Sequence, residues 1–216
     1  MSIKRKVLAG AAALSLIGGL IGGLGLAAAS GARAATPPCG SDCRAYYTEG
    51  RGTGAVTSVF KRVIKPGQKI ILFRPSNTDP AQDFTYYRQG TVHAFYKAGL
   101  VSAALNLHYR HDHAFELEYT PFGVPTDLCV GVGSTAGDLT PVTLQWCGAS
   151  AKTVWVMDRA DASGGYEPLI NGSDTNFSHP FVLTDQGGSL ITLRLEKFSD
   201  GTVFDTQMWA YLTGVL

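Results

Sequence analysis

Four donor side chains fall within one short stretch: His108, His111, Asp112 and His113. Imidazole nitrogens and carboxylate oxygens are metal ligands, and on a strand the even spacing of His111 and His113 would put two ligands on one face. No cysteine stands near, and a polar hairpin tip has the same composition, so no metal is expected there. Hydrolytic chemistry has less to stand on. The chain contains no Gly-x-Ser-x-Gly elbow, no His-Glu-x-x-His, and no pair of carboxylates spaced as an acid and a nucleophile. Its acids are scattered singly, and we expect a protein that is not an enzyme and uses no cofactor.

The elements around that stretch begin after a leader. Lys4, Arg5 and Lys6 precede an apolar, Gly- and Ala-rich run from Val7 to Ala29, and Ala32-Arg33-Ala34 fits the small-x-small cleavage rule. Residues 1–35 therefore read as a signal peptide; the run is also long enough for a transmembrane anchor. With the leader gone, 14 basic residues face 17 acidic ones, a net charge of −3. That balance offers no basic footprint for nucleic acid or an anionic membrane. The remaining 181 residues suit one domain with a sizeable core. All four cysteines (Cys39, Cys43, Cys129, Cys147) lie in the exported part, so a secreted protein with two disulfides is expected, with three connectivities open.

Residues 36–82 read as a tether followed by an extension. Val56, Val59, Phe60, Val63 and Ile64 have helical spacing but are rich in β-branched types, so helix and strand both stay open; Lys69 to Phe73 reads as a short strand. Ala45 to Phe73 either packs against the following domain or supplies its first strand. From 83 onward no helical period is sustained. Strands are expected near Phe84 to Arg88, Val92 to Tyr96, Leu105 to Tyr109 and Phe115 to Tyr119, and turns at Asn171-Gly172 and Asp200-Gly201. Asn171-Gly172-Ser173 and Asn176-Phe177-Ser178 fit the glycosylation pattern, which reads as exposed loops.

The most regular unit is Asp127 to Trp155: a strand at Leu128, Val130 and Val132, a Gly-rich turn, a strand at Val142 and Leu144, and a cysteine at each end of the pair. Such a unit has no second layer to bury it, so copies are expected. The frame of a glycine, an apolar-x-Leu pair and a later aromatic reads Gly99, Leu105-x-Leu107, Phe115; then Gly137, Val142-x-Leu144, Trp155; then Gly187, Leu193-x-Leu195, Trp209.

The string Leu-Cys-Val-x-Val, Gly, Val-x-Leu-x-x-Cys and a following Trp resembles a repeat of the ricin B-type β-trefoil lectins, whose repeats close on Gln-x-Trp; Gln207-Met208-Trp209 matches that closure. The resemblance implies an all-β fold, a β-trefoil of three degenerate repeats at about 83–119, 120–160 and 161–216, with Phe115, Trp155, Gln207 and Trp209 in the repeat core. It places a disulfide at Cys129 and Cys147, leaving Cys39 with Cys43 as a structural staple. It also implies a sugar pocket within a repeat, built from an Asp, a stacking aromatic and an Asn or Gln. The middle repeat has Gly131, Gln145 and Lys152 at those places, and the third has Leu183, Glu196 and Thr206. The first repeat is the remaining candidate, with His93, Asn106, His108 and Asp112. The implied partner is a saccharide or glycoconjugate; a protein partner is the rival.

Overall fold

The computed structural model describes residues 40–213, so the leader and Cys39 lie outside the described residues. In chain order the strands are Arg44–Thr48 (β1), Val56–Val59 (β2), Ile70–Phe73 (β3) and Phe84–Thr91 (β4). Helices Val92–Lys97 (α1) and Ala103–Tyr109 (α2) follow. Then come His113–Tyr119 (β5), Leu128–Val132 (β6), Val142–Trp146 (β7), Trp155–Met157 (β8), Glu167–Asn171 (β9), Phe181–Asp185 (β10) and Ile191–Leu195 (β11). A short hairpin, Phe198–Ser199 (β12) and Thr202–Val203 (β13), precedes Met208–Thr213 (β14). Among the described residues no helix is long and apolar enough to cross a membrane.

Two layers emerge from the pairing. Strands β4, β5, β8, β9, β14 and β1 pair in that order, each antiparallel to its neighbour, and curl until β4 comes back beside β1. The hairpins β2–β3, β6–β7 and β10–β11 form the second layer. Three backbone bonds tie them into a triangle: Leu72 N–H donates to Ser189 C=O (3.0 Å), Leu144 N–H to Gln68 C=O (2.8 Å) and Leu193 N–H to Thr140 C=O (2.9 Å). Each hairpin thus grips the next at the same leucine, and all three leucines are buried. A barrel capped by three cyclically linked hairpins is a β-trefoil.

The structural repeats are β1–β4, β5–β8 and β9–β14. Residues 44–73 are therefore not an extension: β1, β2 and β3 are the first three strands of the trefoil, and the threefold pattern begins at Arg44 rather than Asp83. The segment from Val56 is a strand, paired residue for residue with β3. The copy read at Gly99, Leu105-x-Leu107 and Phe115 is replaced by Gly67, Ile70-x-Leu72 and Phe84. Ladder position decides this. Trp155 opposes Asn171, Trp209 opposes Thr48, and Phe84 opposes Tyr119, each pair involving the last residue of a first strand. Phe115 is buried in the same core but sits at the other end of that ladder, stacked on Tyr46 with ring centroids 5.3 Å apart.

The stretches 92–96 and 105–109 are helical because their ends are capped and their apolar residues follow a helical period. Thr91 Oγ1 accepts from Ala94 N–H (3.3 Å) and Ser102 Oγ from Leu105 N–H (3.0 Å). Val92 with Phe95, and Leu105 with Tyr109, face the protein, whereas Leu107 is 80% exposed, which a strand alternating with Leu105 would not allow. Cys129 and Cys147 are bonded, clamping the open end of β6–β7. Cys43 is also disulfide-bonded.

Candidate functional site

The helical insertion divides the four residues expected to bind sugar. His93 on α1 and Asn106 on α2 bond to each other, Nδ1 to Oδ1 at 3.1 Å, and hold the two helices together. His108 and Asp112, at the end of α2 and just beyond it, turn instead to a cleft of about 330 Å³. The remaining histidines do not join them. His111 is exposed, and His113 lines a different cavity at the barrel mouth with Tyr86, Arg159 and Glu167, where burial, then Arg159, lowers its basicity.

Three other elements build the cleft. The segment after β8 brings Asp158 and Asp161, the residue after β11 is Glu196, and the β9–β10 loop brings Phe177 and His179. That loop is shaped by Asp174, whose carboxylate accepts the N–H of Asn176 (2.7 Å) and of Phe181. Phe177 stacks on the His108 imidazole, centroids 4.7 Å apart and planes 25° from parallel. Phe198 stands half-exposed at the rim, presented by the β12–β13 hairpin, which turns through Asp200 and Gly201 at φ of 53° and 81°. The Asp-Gly turn is thus formed as read. Asn171-Gly172 instead ends a strand, and its glycine is required because a Cβ would stand 2.8 Å from the Ala151 carbonyl. Asn171 is itself buried, donating to Lys152 C=O at 3.0 Å, so it does not present an exposed acceptor for glycosylation.

The cleft floor is acidic. Asp158 is 4% exposed and Glu196 8%. One carboxylate oxygen from each of Asp158, Asp161 and Glu196 lies within 4.8 Å of the other two. Asp158 Oδ1 accepts the Ala160 N–H at 3.0 Å, whereas Glu196 Oε1 is buried with no hydrogen-bond partner. Burial, then the charges of Asp161 and Asp158, pushes the Glu196 carboxyl from 4.5 up to about 8. Burial is also the first cause for Asp158, moved from 3.8 to about 6, against a lowering bond from Ala160. Burial first, then Asp158 and Glu196, raises the Tyr109 phenol.

Both carboxyl shifts have one sign. The folded protein keeps protons that the unfolded chain has released, so the stability they confer is complete below the unfolded values and is lost as pH rises through the folded ones. The charges acting on Glu196 are those of Asp161 and Asp158, and the titratable groups that line the cleft with them, Tyr109, Asp112, His108 and His179, include no lysine or arginine to reverse that sign. In chelator-treated buffer the melting temperature is expected to fall between about pH 5 and about pH 8. Glu196→Gln, which mimics the protonated acid, should flatten that slope; thermal melts across the range decide it, and an unchanged slope would remove Glu196 as the cause.

The pockets that the lectin resemblance implied lie elsewhere, on the cap hairpins. Ladder register puts their stacking position at Phe73, Gln145 and Arg194, opposite Val56, Cys129 and Val182. Their Asp position falls on Ser58, Gly131 and Thr184, so Leu183 and Glu196 are not the counterparts of Gly131 and Gln145. At Gly131 a carboxylate has no room, since a Cβ would stand 2.6 Å from the Lys152 carbonyl. Phe73 alone keeps an aromatic. Gln207 serves the frame: its Nε2 donates to Leu195 C=O (2.9 Å) and Thr184 Oγ1 (3.2 Å), and its Oε1 accepts the Lys197 N–H (2.8 Å).

Sequence reading missed Asp158, Asp161, Phe177, Phe198 and the place of Glu196 in this cleft. They are spread over some forty residues and meet only through the β8–β9, β9–β10 and β11–β12 connections, so no local spacing marks them.

No family model matches the chain, and no curated protein sequence matches it. Solved structures do share the fold. The designed threefold-symmetric protein ThreeFoil is 13% identical with a TM-score of 0.51, over 78% of this chain and 96% of its own. An exo-β-1,3-galactanase from Clostridium thermocellum, 1,3Gal43A, is 11% identical (TM-score 0.52), matched over 79% of this chain but only 30% of its own. A mosquitocidal holotoxin is likewise 11% identical (TM-score 0.52), over 79% of this chain and 17% of its own. At these identities the likeness is one of fold.

Proposed function

We propose that this chain is a secreted, non-catalytic carbohydrate-binding module, a divergent relative of the ricin B-type trefoils whose saccharide site has moved from the cap hairpins to the cleft beside α2. The observation that carries the reading is the pairing of aromatic faces with carboxylates around one cavity: the Phe177–His108 stack and Phe198 on its walls, Asp112, Asp158 and Asp161 below. Pyranose rings offer apolar C–H faces to the first and hydroxyl donors to the second. Secretion is supported by the leader pattern and by the disulfides. The rival is a protein-binding trefoil, favoured by Phe73, Trp146 and Leu195, which end the second strand of each cap hairpin and stay exposed.

A glycan array probed with purified protein tests the proposal. Binding is expected, and His108→Ala and Asp112→Ala should each weaken it about tenfold with little change in melting temperature, His108 being exposed and Asp112 partly so. Silence across galactosides and plant polysaccharides would give the molecule to the protein-binding reading.

A further inference from the structure

The cleft floor places three carboxylates where no counter-charge meets them. Asp158 and Asp161 come from the β8–β9 connection and Glu196 from the end of β11, so their convergence is a product of the tertiary fold rather than of a local acidic run. Their oxygens lie within 4.8 Å of one another. The ion pairs formed among the described residues, Arg51–Asp185, Arg62–Asp79 and Arg194–Asp138, involve none of them. No lysine or arginine lines the cavity. Independently, Glu196, more than nine-tenths buried, contributes one carboxylate oxygen to this group, and its Oε1 has no hydrogen-bond partner. A buried, unpartnered carboxylate oxygen beside two further acids is costly unless something positive meets it.

We propose that Asp158, Asp161 and Glu196 bind a divalent cation, and that the cation is calcium. The donors are all hard oxygens, which suit calcium and not zinc or copper. They come from two separate connections with irregular backbone, a less constrained arrangement than the near-ideal octahedron magnesium demands. Asp112, in the same cleft, is placed to add charge to the site. The proposal does not depend on saccharide binding, because the cation alone is the probe.

The full chain, stripped with chelator, is titrated with calcium chloride by calorimetry and by thermal melting. One equivalent is expected to bind in the range of extracellular calcium modules, a Kd of about 10⁻⁴–10⁻³ M, with a rise in melting temperature. Glu196→Gln and Asp161→Asn are expected each to weaken binding about tenfold or more. Two variants are used because Glu196 is buried and Asp161 is not, so a folding defect at one position leaves the other decisive. Circular dichroism and the metal-free melt confirm that each is folded. Absence of heat and of a melting shift at millimolar calcium would overturn the proposal, as would undiminished binding in both variants. Zinc binding in place of calcium, lost in His108→Ala or His179→Ala, would overturn it equally and move the metal to the imidazoles at the rim.

Discussion

Truncating Trp209 to alanine is expected to cost about 3–5 kcal/mol of folding stability, a large share of what a domain of this size possesses. The ring is fully buried where β14 meets both the first barrel strand and the cap, and its Nε1 donates to Leu183 C=O at 2.8 Å. Trp155 repeats the arrangement in the second unit, donating to Val130 C=O at 2.8 Å. Each indole therefore both fills the barrel and pins it to its own hairpin. Trp155→Ala should behave like Trp209→Ala in urea unfolding. Trp155→Phe, which keeps most of the volume and loses the donor, should cost less, about 1 kcal/mol for the bond plus whatever the smaller ring leaves unfilled. Phe84 occupies the same ladder position in the first unit without any donor, so the native chain already shows that the volume can be kept without the bond. A Trp155→Phe variant as damaged as Trp155→Ala would mean that the second ring and its Nε1 donor, not burial in general, are what the site requires.

Loss of the Cys129–Cys147 bond is the second large effect. The bridge spans 18 positions and joins the ends of β6 and β7. Closing a loop of that length removes about 3 kcal/mol of freedom from the unfolded chain. A double Cys129→Ser, Cys147→Ser variant is therefore expected to melt on the order of 10 °C lower. The hairpin itself should persist, because five residue pairs from Leu128–Trp146 to Val132–Val142 hold its ladder without the sulfur. Near-native circular dichroism at room temperature, together with the lowered melt, is the expected pair of results; loss of structure at room temperature would show that the hairpin depends on the bridge to form.

Much of the barrel was legible in the amino-acid order, and the unread part has identifiable causes. The β6–β7 unit announces itself because both strands, the turn and the cysteines are contiguous. The third unit is legible through Gln207 and Trp209. The first was displaced because Leu105 and Leu107 imitate a strand's apolar-x-Leu pair, while the real pair, Ile70-x-Leu72, is followed by Phe84 where the other units carry tryptophan. The capping residues Thr91 and Ser102 were the available signal that the 92–109 stretch is helical. Of the candidate site, His108 and Asp112 were found because they are polar and close together. Asp158, Asp161 and Glu196 were not, because acids standing singly in sequence look like solvated surface until tertiary contacts collect them.

The step from β4 to β1 differs from every other step around the barrel. Among the described residues no ladder joins these two strands; the Tyr46 and Tyr86 hydroxyls bond at 2.9 Å across the gap, and the Arg44 guanidinium lies over the Tyr86 ring. Among the described residues the sole ladder partner of β1 is β14. Of the described strands, then, the first in chain order has no ladder mate until the last is made, and a chain halted before Met208 leaves Arg44–Thr48 as an open edge. Closure of the barrel ladder thus waits on β14, so that the late segment of the fold, not the early one, decides when Arg44–Thr48 is covered.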